Sequence, residues 1–573
     1  MDEPVKEAIE RAAETHALFN ALKHGGDADP GAILGPLMAD HPEFREHGDQ
    51  MMDIVAPVVS SVNERSQPEQ RDRLETIDPD AIAELEAEAT ETEEPPLPTL
   101  SAGEAGDDIR LRCAPNPNGP WHLGNARMGA VIGTYTEMYD GWMLCRFDDT
   151  DPATKRPDLA AYDAILADLE YLGFTPDDVI RASDRLELYY TRARELIDAG
   201  GAYTCSCPQA EFSELKRDGN ACPHRDIGRE RTREEFDAMV EGEYGEGEMV
   251  LRVRTDMTAP NPAERDWVAF RMVDRPHPRA AAREYRCWPM LDFQSAIDDH
   301  ETDITHIIRG KDLQDSAARQ GYVYEYFGWT YPEVLHWGRI GVDEYDVPLS
   351  TSTISEQIAA GDLEGWDDPR APTVQGLARR GIRGEAVTAA LIELGVSTSD
   401  VDLAMSSVYA ANRELIDPEA DRYFFVRDAQ EFLLSGDPPD VATPPLHPED
   451  PDRGTRSIPV ADAVLIEPND VPDHNERIWL KGFGCVRHTR DALVWTGDDI
   501  DAVREGGVPV VHWVPADTTE AVTLRTPDGD VLGHGEPALA AVSVDDMIQF
   551  ERVGFARIDA SESDRIIAVL AHT

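Results

Sequence analysis

The chain has 573 residues, of which 53 are basic and 112 acidic, for a net charge of −59, and 41% are hydrophobic. At roughly 100–200 residues per domain, that length implies about three to five domains. Such a charge repels a polyanion at low ionic strength, but at molar salt the Debye length falls to about 3 Å and the repulsion is largely screened. Only six residues are lysine (Lys6, Lys23, Lys155, Lys216, Lys311, Lys481), and this acid-rich, lysine-poor surface reads as adaptation to a salt-loaded cytoplasm. No run approaches about 18 consecutive apolar residues, and the first residues lack an apolar signal core. A soluble cytoplasmic protein without membrane contacts is therefore expected.

In chain order, residues 1–85 read as a helical domain: Val5, Ile9, Ala12, Ala13, Phe19 and Leu22 recur near a 3–4 spacing, and Ile33, Leu34, Leu37 and Met38 continue it. Residues 86–107 are acidic, rich in Pro and Thr and without periodicity, which predicts a linker. From 108 to 200, strands at 109–114 and 142–147 alternate with helices at 125–139 and 159–172. That pattern predicts a parallel sheet with crossover helices. It resumes over 286–345, with a strand at 304–308 and a helix at 316–327, so residues 201–285 read as an insertion. Short helices occupy much of 346–415. Residues 416–573 are strand-like, with a hairpin expected around Pro527-DGD-Val531, and read as two β-barrels. The fold class is multidomain α/β plus all-β, with a Rossmann-like core.

Five local patterns carry chemistry. Arg112-CAPNPNGPWHLGNA-Arg127 reads as strand, turn and helix start, where glycine lets backbone N–H groups approach a phosphate and a histidine can donate to its oxygens. Arg146-FDDTD-Pro152 sets three carboxylates beside an arginine at a strand exit, as suits a metal site, a helix cap or an amine pocket. Asp303-ITHIIRGKD-Leu313 ends a strand at Arg309, whose planar fork can meet a ligand carboxylate or a local acid such as Asp312. Asp346-VPLSTST-Ile354 offers hydroxyls and amides without a lysine. Cys205-Ser-Cys207 and Cys222-Pro-His224 present three thiolates and an imidazole, a closed tetrahedral set for structural Zn²⁺. Cys113, Cys145, Cys287 and Cys485 lie in apolar strand contexts and are expected in cores. The arginine-rich stretches 225–233 and 379–383 read as solvated helix faces more readily than as RNA footprints. Phe424, Arg427, Trp479, Arg487 and Arg490 are candidate base-stacking positions in the barrels.

On these motifs the chain resembles the class I glutamyl- and glutaminyl-tRNA synthetases, and within them the archaeal-type glutamyl enzymes. The class signature appears as His122-Leu123-Gly124-Asn125, preceded by Arg112-CAPNPN-Gly119, with Asn where the fourth position is usually His. The lysine-bearing signature loop of the family corresponds here to Pro348-Leu349-Ser350-Thr351-Ser352. The resemblance implies a Rossmann-like core, a zinc-bearing insertion gripping the tRNA acceptor end, a helical linking domain and two anticodon-reading barrels. It assigns Arg112, Ala114, Asn116, Asp148 and Arg309 to the amino acid, Arg309 selecting glutamate over glutamine. It assigns His122, Gly124, Asn125, Arg339, Ser350, Thr351 and Ser352 to ATP and catalysis, with Lys311, Arg339 or Mg²⁺ supplying charge in place of the missing lysines. The implied partners are ATP with Mg²⁺, L-glutamate, tRNA(Glu) and, as a second candidate, tRNA(Gln), with no DNA, for a monomeric enzyme. A glutaminyl enzyme and a small-molecule nucleotidylyltransferase are the competing readings.

Overall fold

A computed structural model describes residues 3–573 except 24–27, 29, 42–43, 45–47, 64, 79–80, 83–95, 101–107, 343, 346, 472–475, 491, 499 and 501–506. The chain forms two compact units, Met1–Pro96 and Leu97–Thr573. In the first, helices α1 (Glu3–Lys23), α2 (Pro30–Asp40), α3 (Gly48–Asn63) and α4 (Gln67–Ile77) enclose one core. The 3–4 spacing puts Ile9, Ala13 and Ala17 of α1 on one face, against Leu37, Val55, Val59 and Leu74. Much of the expected linker lies outside the described residues. Where it is described, Leu97 and Leu100 are buried in the core of the second unit, and the Leu100 N–H donates to the Tyr139 hydroxyl at 2.7 Å.

The second unit begins with parallel strands β1 (Arg110–Cys113), β2 (Trp142–Phe147) and β3 (Asp178–Arg181), in register with Cys113 beside Cys145. An antiparallel sheet interrupts the parallel one: β4 (Ala202–Cys205), β5 (Val250–Val253), β6 (Val268–Met272) and β7 (Cys287–Pro289). Its last strand lies beyond the boundary expected at 285. The parallel pair β8 (His306–Gly310) and β9 (Glu333–Trp337) then returns beside β1, where the Thr305 N–H donates to the Arg110 carbonyl at 3.0 Å. The spatial order β3-β2-β1-β8-β9 reverses direction between β1 and β8. At such a switch point the crossovers diverge and leave a crevice at the carboxyl ends of the strands.

After the helix Met405–Ile416, the chain enters one barrel-like seven-stranded sheet at Asp421–Arg427. It forms a second such sheet between Gln430 and Pro515, then returns to the first through Glu520–His572. The hairpin at Pro527 pairs Thr526 with Gly529. Two expected stacking residues, Phe424 and Trp479, are corrected here because they are buried among strands; Arg427, 43% exposed, is paired with Glu467 at 2.9 Å. Strand alternation identifies two faces but not which one a neighbouring sheet covers. Among the described residues no helix is long and apolar enough to cross a membrane.

Candidate active site

The crevice at the switch point is a cleft of about 560 Å³. It gathers Arg112, Ala114, Asn116, His122, Asn125, Asp148, Arg309, Thr351 and Ser352 from motifs spread over 240 residues of sequence. Gly124 and Ser350 do not line it but shape groups that do. A Cβ on Gly124 would sit 3.0 Å from the His122 ring, a tight contact that would press on the imidazole. Ser350 caps the helix Thr351–Ala360, its Oγ accepting from the Thr353 N–H at 3.4 Å, next to Thr351 and Ser352, which line the cleft.

The floor is a network of buried charges. Arg112 Nε donates to Asp299 Oδ1 at 3.0 Å, and Arg146 donates to Asp299 Oδ1 and Asp148 Oδ1, both at 2.7 Å, and to Ser295 Oγ at 2.9 Å. Gln294 Nε2 donates to Asp148 at 2.9 Å, and Arg185 pairs with Asp298 at 2.8 Å. Burial raises the Asp299 carboxyl, but the Arg112 and Arg146 guanidiniums outweigh it and hold the group below its ordinary value. Arg112, Arg146 and Arg185 thus offset Asp148, Asp298 and Asp299. Among the described residues Arg112 bonds Asp299 through Nε and Nη2 only, and Asn116 spends its Nδ2 on the Asp148 carbonyl at 2.8 Å while its Oδ1 finds no partner.

Arg309 stands apart. It is 6% exposed at the carboxyl end of β8, and among the described residues no carboxylate lies within 4.0 Å of it. Its hydrogen bonds go to neutral groups, Nη1 to Gln320 Oε1 and Nη2 to the Tyr331 hydroxyl, both at 3.3 Å. The local pairing with Asp312 that the sequence left open is not formed. Burial lowers its pKa, yet a guanidinium stays protonated at neutral pH. A buried cation without a counter-ion costs several kcal/mol, which a ligand carboxylate offsets.

At the opposite end, burial drives His122 down to about 4, so the ring is neutral at pH 7. The turn carrying it is clamped by a bridge to Thr373, by the Leu123 N–H donating to the Pro372 carbonyl at 3.0 Å, and by the Asp168 carboxylate accepting the Trp121 N–H at 2.8 Å.

Matches to protein-family models partition the second unit in the same way. The "tRNA synthetases class I (E and Q), catalytic domain" model spans residues 108–418, and two anti-codon binding domain models span 420–500 and 510–559. Proteins named glutamate–tRNA ligase from Haloarcula marismortui and Natronomonas pharaonis are 63% and 61% identical, covering 98% and 100% of both chains in each pair. One of the same name from Pyrococcus furiosus is 42% identical over 98% of this chain and all of its own. The chain belongs to the class I glutamyl and glutaminyl tRNA synthetases.

For this synthetase, two expected phosphate cations fall elsewhere. Lys311 is paired with Asp400 at 2.8 Å, and Arg339 does not line the cleft; Lys155 and Arg271 do. The arginine stretch 379–383 is also corrected, whereas 225–233 keeps the expected solvated face, with Arg231 67% exposed. Arg379 pairs with Asp559 at 2.8 Å, Arg380 donates to the Leu570 and Ala571 carbonyls and Arg383 pairs with Glu419, making a joint between the helical segment and the first barrel-like sheet. In the other stretch, Arg225 is held by Asp266, Arg231 by Glu235 and Arg233 by Asp198. Residues missed in the sequence include Gln294, Ser295, Asp298 and Asp299, on the helix Leu291–Glu301 that follows the insertion. The signal was available as i,i+4 pairs, Gln294 with Asp298 and Ser295 with Asp299, on an otherwise apolar helix face.

In the insertion, the ligand atoms of Cys205, Cys207, Cys222 and His224 lie within 4.8 Å of one another. The Cys205–Cys222 sulfurs are 3.7 Å apart, and His224 Nδ1 is 3.3 Å from Cys207 Sγ and 3.7 Å from Cys222 Sγ. Separations of this size would suit tetrahedral ligands to a metal about 2.3 Å from each sulfur. Ser206 Oγ lies 3.1 Å from His224 Nε2, where it fixes the ring with Nδ1 facing the thiols. Cys113, Cys145, Cys287 and Cys485 are buried, as expected for core thiols.

Proposed function

We propose that the chain is a cytoplasmic ligase joining L-glutamate to the 3′-terminal adenosine of tRNA(Glu) at the expense of ATP. The observation that carries the choice of amino acid is Arg309, a buried guanidinium at a strand exit whose partners among the described residues are neutral. The side-chain carboxylate of glutamate supplies the missing charge, whereas the amide of glutamine leaves it uncompensated. Asp148 receives the α-ammonium, and the uncommitted Nη1 of Arg112 faces the same substrate.

Catalysis rests on positioning and on stabilising developing charge, without a protein nucleophile. An oxygen of the α-carboxylate attacks the α-phosphorus of ATP, and the bond to pyrophosphate breaks. The neutral His122 ring offers an N–H without a full charge, while the amino ends of the helices at Leu123 and Thr351 supply partial positive charge to the phosphates. Mg²⁺ accompanying ATP neutralises further phosphate charge when bound. The ribose hydroxyl of the terminal adenosine then attacks the activated carbonyl, losing its proton as AMP departs. Cys205, Cys207, Cys222 and His224 hold a structural zinc in the insertion, and the two barrel-like sheets read the anticodon.

The test is aminoacylation in roughly molar KCl, which screens the acidic surface, with labelled glutamate or glutamine and separate tRNA(Glu) and tRNA(Gln) transcripts. Glutamate is expected on tRNA(Glu), with glutamine charged to neither. Glutamate on tRNA(Gln) as well defines a nondiscriminating enzyme. Failure of the folded protein to charge any tRNA overturns the proposal.

A further inference from the structure

The guanidinium of Arg309 is aimed by neutral dipoles alone. Gln320 projects from the helix Gln314–Phe327 on the same buried face as Ser316, Val323 and Tyr324, and is 1% exposed. Its Oε1 accepts from Arg309 Nη1 at 3.3 Å and from the Tyr331 O–H at 2.5 Å, while Tyr331 in turn accepts from Arg309 Nη2 at 3.3 Å. Arg309 Nε and Gln320 Nε2 are buried without partners. Asp299, the acid whose charge acts on Arg309, is already bound to Arg112 and Arg146. Every other arginine tied into the cleft floor has an aspartate, and this one has an amide and a phenol.

The chemistry of that choice is specific. A glutamate at position 320 would orient the same fork equally well, but would neutralise it in a low-dielectric pocket where the pair holds tightly. An amide oxygen fixes the fork and leaves its full charge for the ligand. We infer that Gln320, itself held by Tyr331, is a positioning residue that sets the preference for a side-chain carboxylate over a side-chain amide. The inference rests on the glutamate reading of Arg309 and extends it to residues that never touch the substrate.

The test compares Gln320→Glu, Tyr331→Phe and Arg309→Ala in the full-length enzyme with tRNA(Glu) and molar salt. The readouts are KM for glutamate, Ki for glutamine as a competitor, and KM for ATP. Gln320→Glu is expected to raise the glutamate KM about 100-fold, with the glutamine Ki and ATP KM within about threefold of the parent. Tyr331→Phe removes one donor to Gln320 and one acceptor for Arg309, and is expected to raise the glutamate KM about tenfold with the same selectivity. It carries the test alone if Gln320→Glu does not fold. Parallel rises for glutamate and glutamine would mean a merely structural role and overturn the inference, as would a glutamate KM within threefold of the parent in both variants. Arg309→Ala separates the two levels. If it raises the glutamate KM and the Gln320 and Tyr331 variants do not, the positioning role alone falls. If it leaves the glutamate KM unmoved, the glutamate reading falls and takes the inference with it.

Discussion

The two ends of the cleft meet negative charge in opposite ways. At the β8 end a full positive charge, Arg309, is buried and held by an amide and a phenol, so that it awaits a carboxylate. At the other end the cleft is lined by a neutral histidine and by Thr351 and Ser352, in a chain whose signature loop has no lysine, with Lys155 and Arg271 as further cations of the same cleft. Desolvation explains the division. A buried charge discriminates strongly between ligands because an unmatched partner is heavily penalised, whereas helix ends and hydroxyls stabilise phosphate oxygens of many geometries with little reorganisation. On the proposed reading, selectivity rests on the whole buried charge of Arg309.

Arg309→Ala attacks the first half of that contrast and should have the largest effect. The glutamate KM is expected to rise about 100- to 1,000-fold while the ATP KM moves less than about threefold, as loss of a buried charged hydrogen-bond partner implies; equal small changes in steady-state kinetics would erase the distinction. Removing the metal tests whether the two ends are properties of the cleft alone. Cys222→Ser, or chelation, should release about one zinc per chain by elemental analysis and raise the tRNA KM about tenfold or more with both small-substrate KM values unmoved. An apoprotein with unchanged tRNA kinetics would dismiss the structural metal.

Beneath the ATP end, burial raises Asp168 to about 7 and lowers His122 to about 4. The signs oppose. Asp168 is protonated more readily folded than unfolded, so its contribution is present below about pH 4 and is lost as pH rises through about 7. His122 is charged more readily unfolded, so stability falls as pH drops from about 6.5 toward about 4. Asp168→Asn keeps an acceptor for the Trp121 N–H and removes the charge. Its advantage over the parent in denaturant titrations should widen from pH 4 to pH 7 by about 3 kcal/mol, and a pH-independent gap would contradict the assignment. The smallest change is expected from Ser350→Ala. Loss of the cap costs about 1 kcal/mol, and the ATP KM should rise about fivefold with the glutamate KM constant; a matching rise for glutamate would show that the ends are not independent.

Legibility followed the range of the interactions. His122 and Arg309 could be picked out because each sits in a short strand-exit or helix-start pattern whose chemistry is local, and the two Cys/His pairs were readable for the same reason, whereas Arg112 and Asp148 were singled out by the family resemblance. The parallel strands and crossover helices followed from hydrophobic period. The partners of those residues were not legible. Asp299 lies 187 residues from Arg112, and no local pattern says which acid a given arginine will meet. Lys311 was expected near phosphate and instead pairs with Asp400, and the arginines of 379–383 bind a barrel-like sheet that begins some forty residues later.

By itself the amino-acid order determined the class of fold, the family motifs and the residue types available for each task. Those depend on φ/ψ preference, hydrophobic period and side-chain chemistry, all of which act over a few residues. Only the tertiary structure decided which charges cancel and which remain. Compensation depends on separation in space and on burial, both set by how β1, β8 and the helix Leu291–Glu301 come together. Arg309 is one of many arginines in the sequence; packing left it buried, aimed and without an acid.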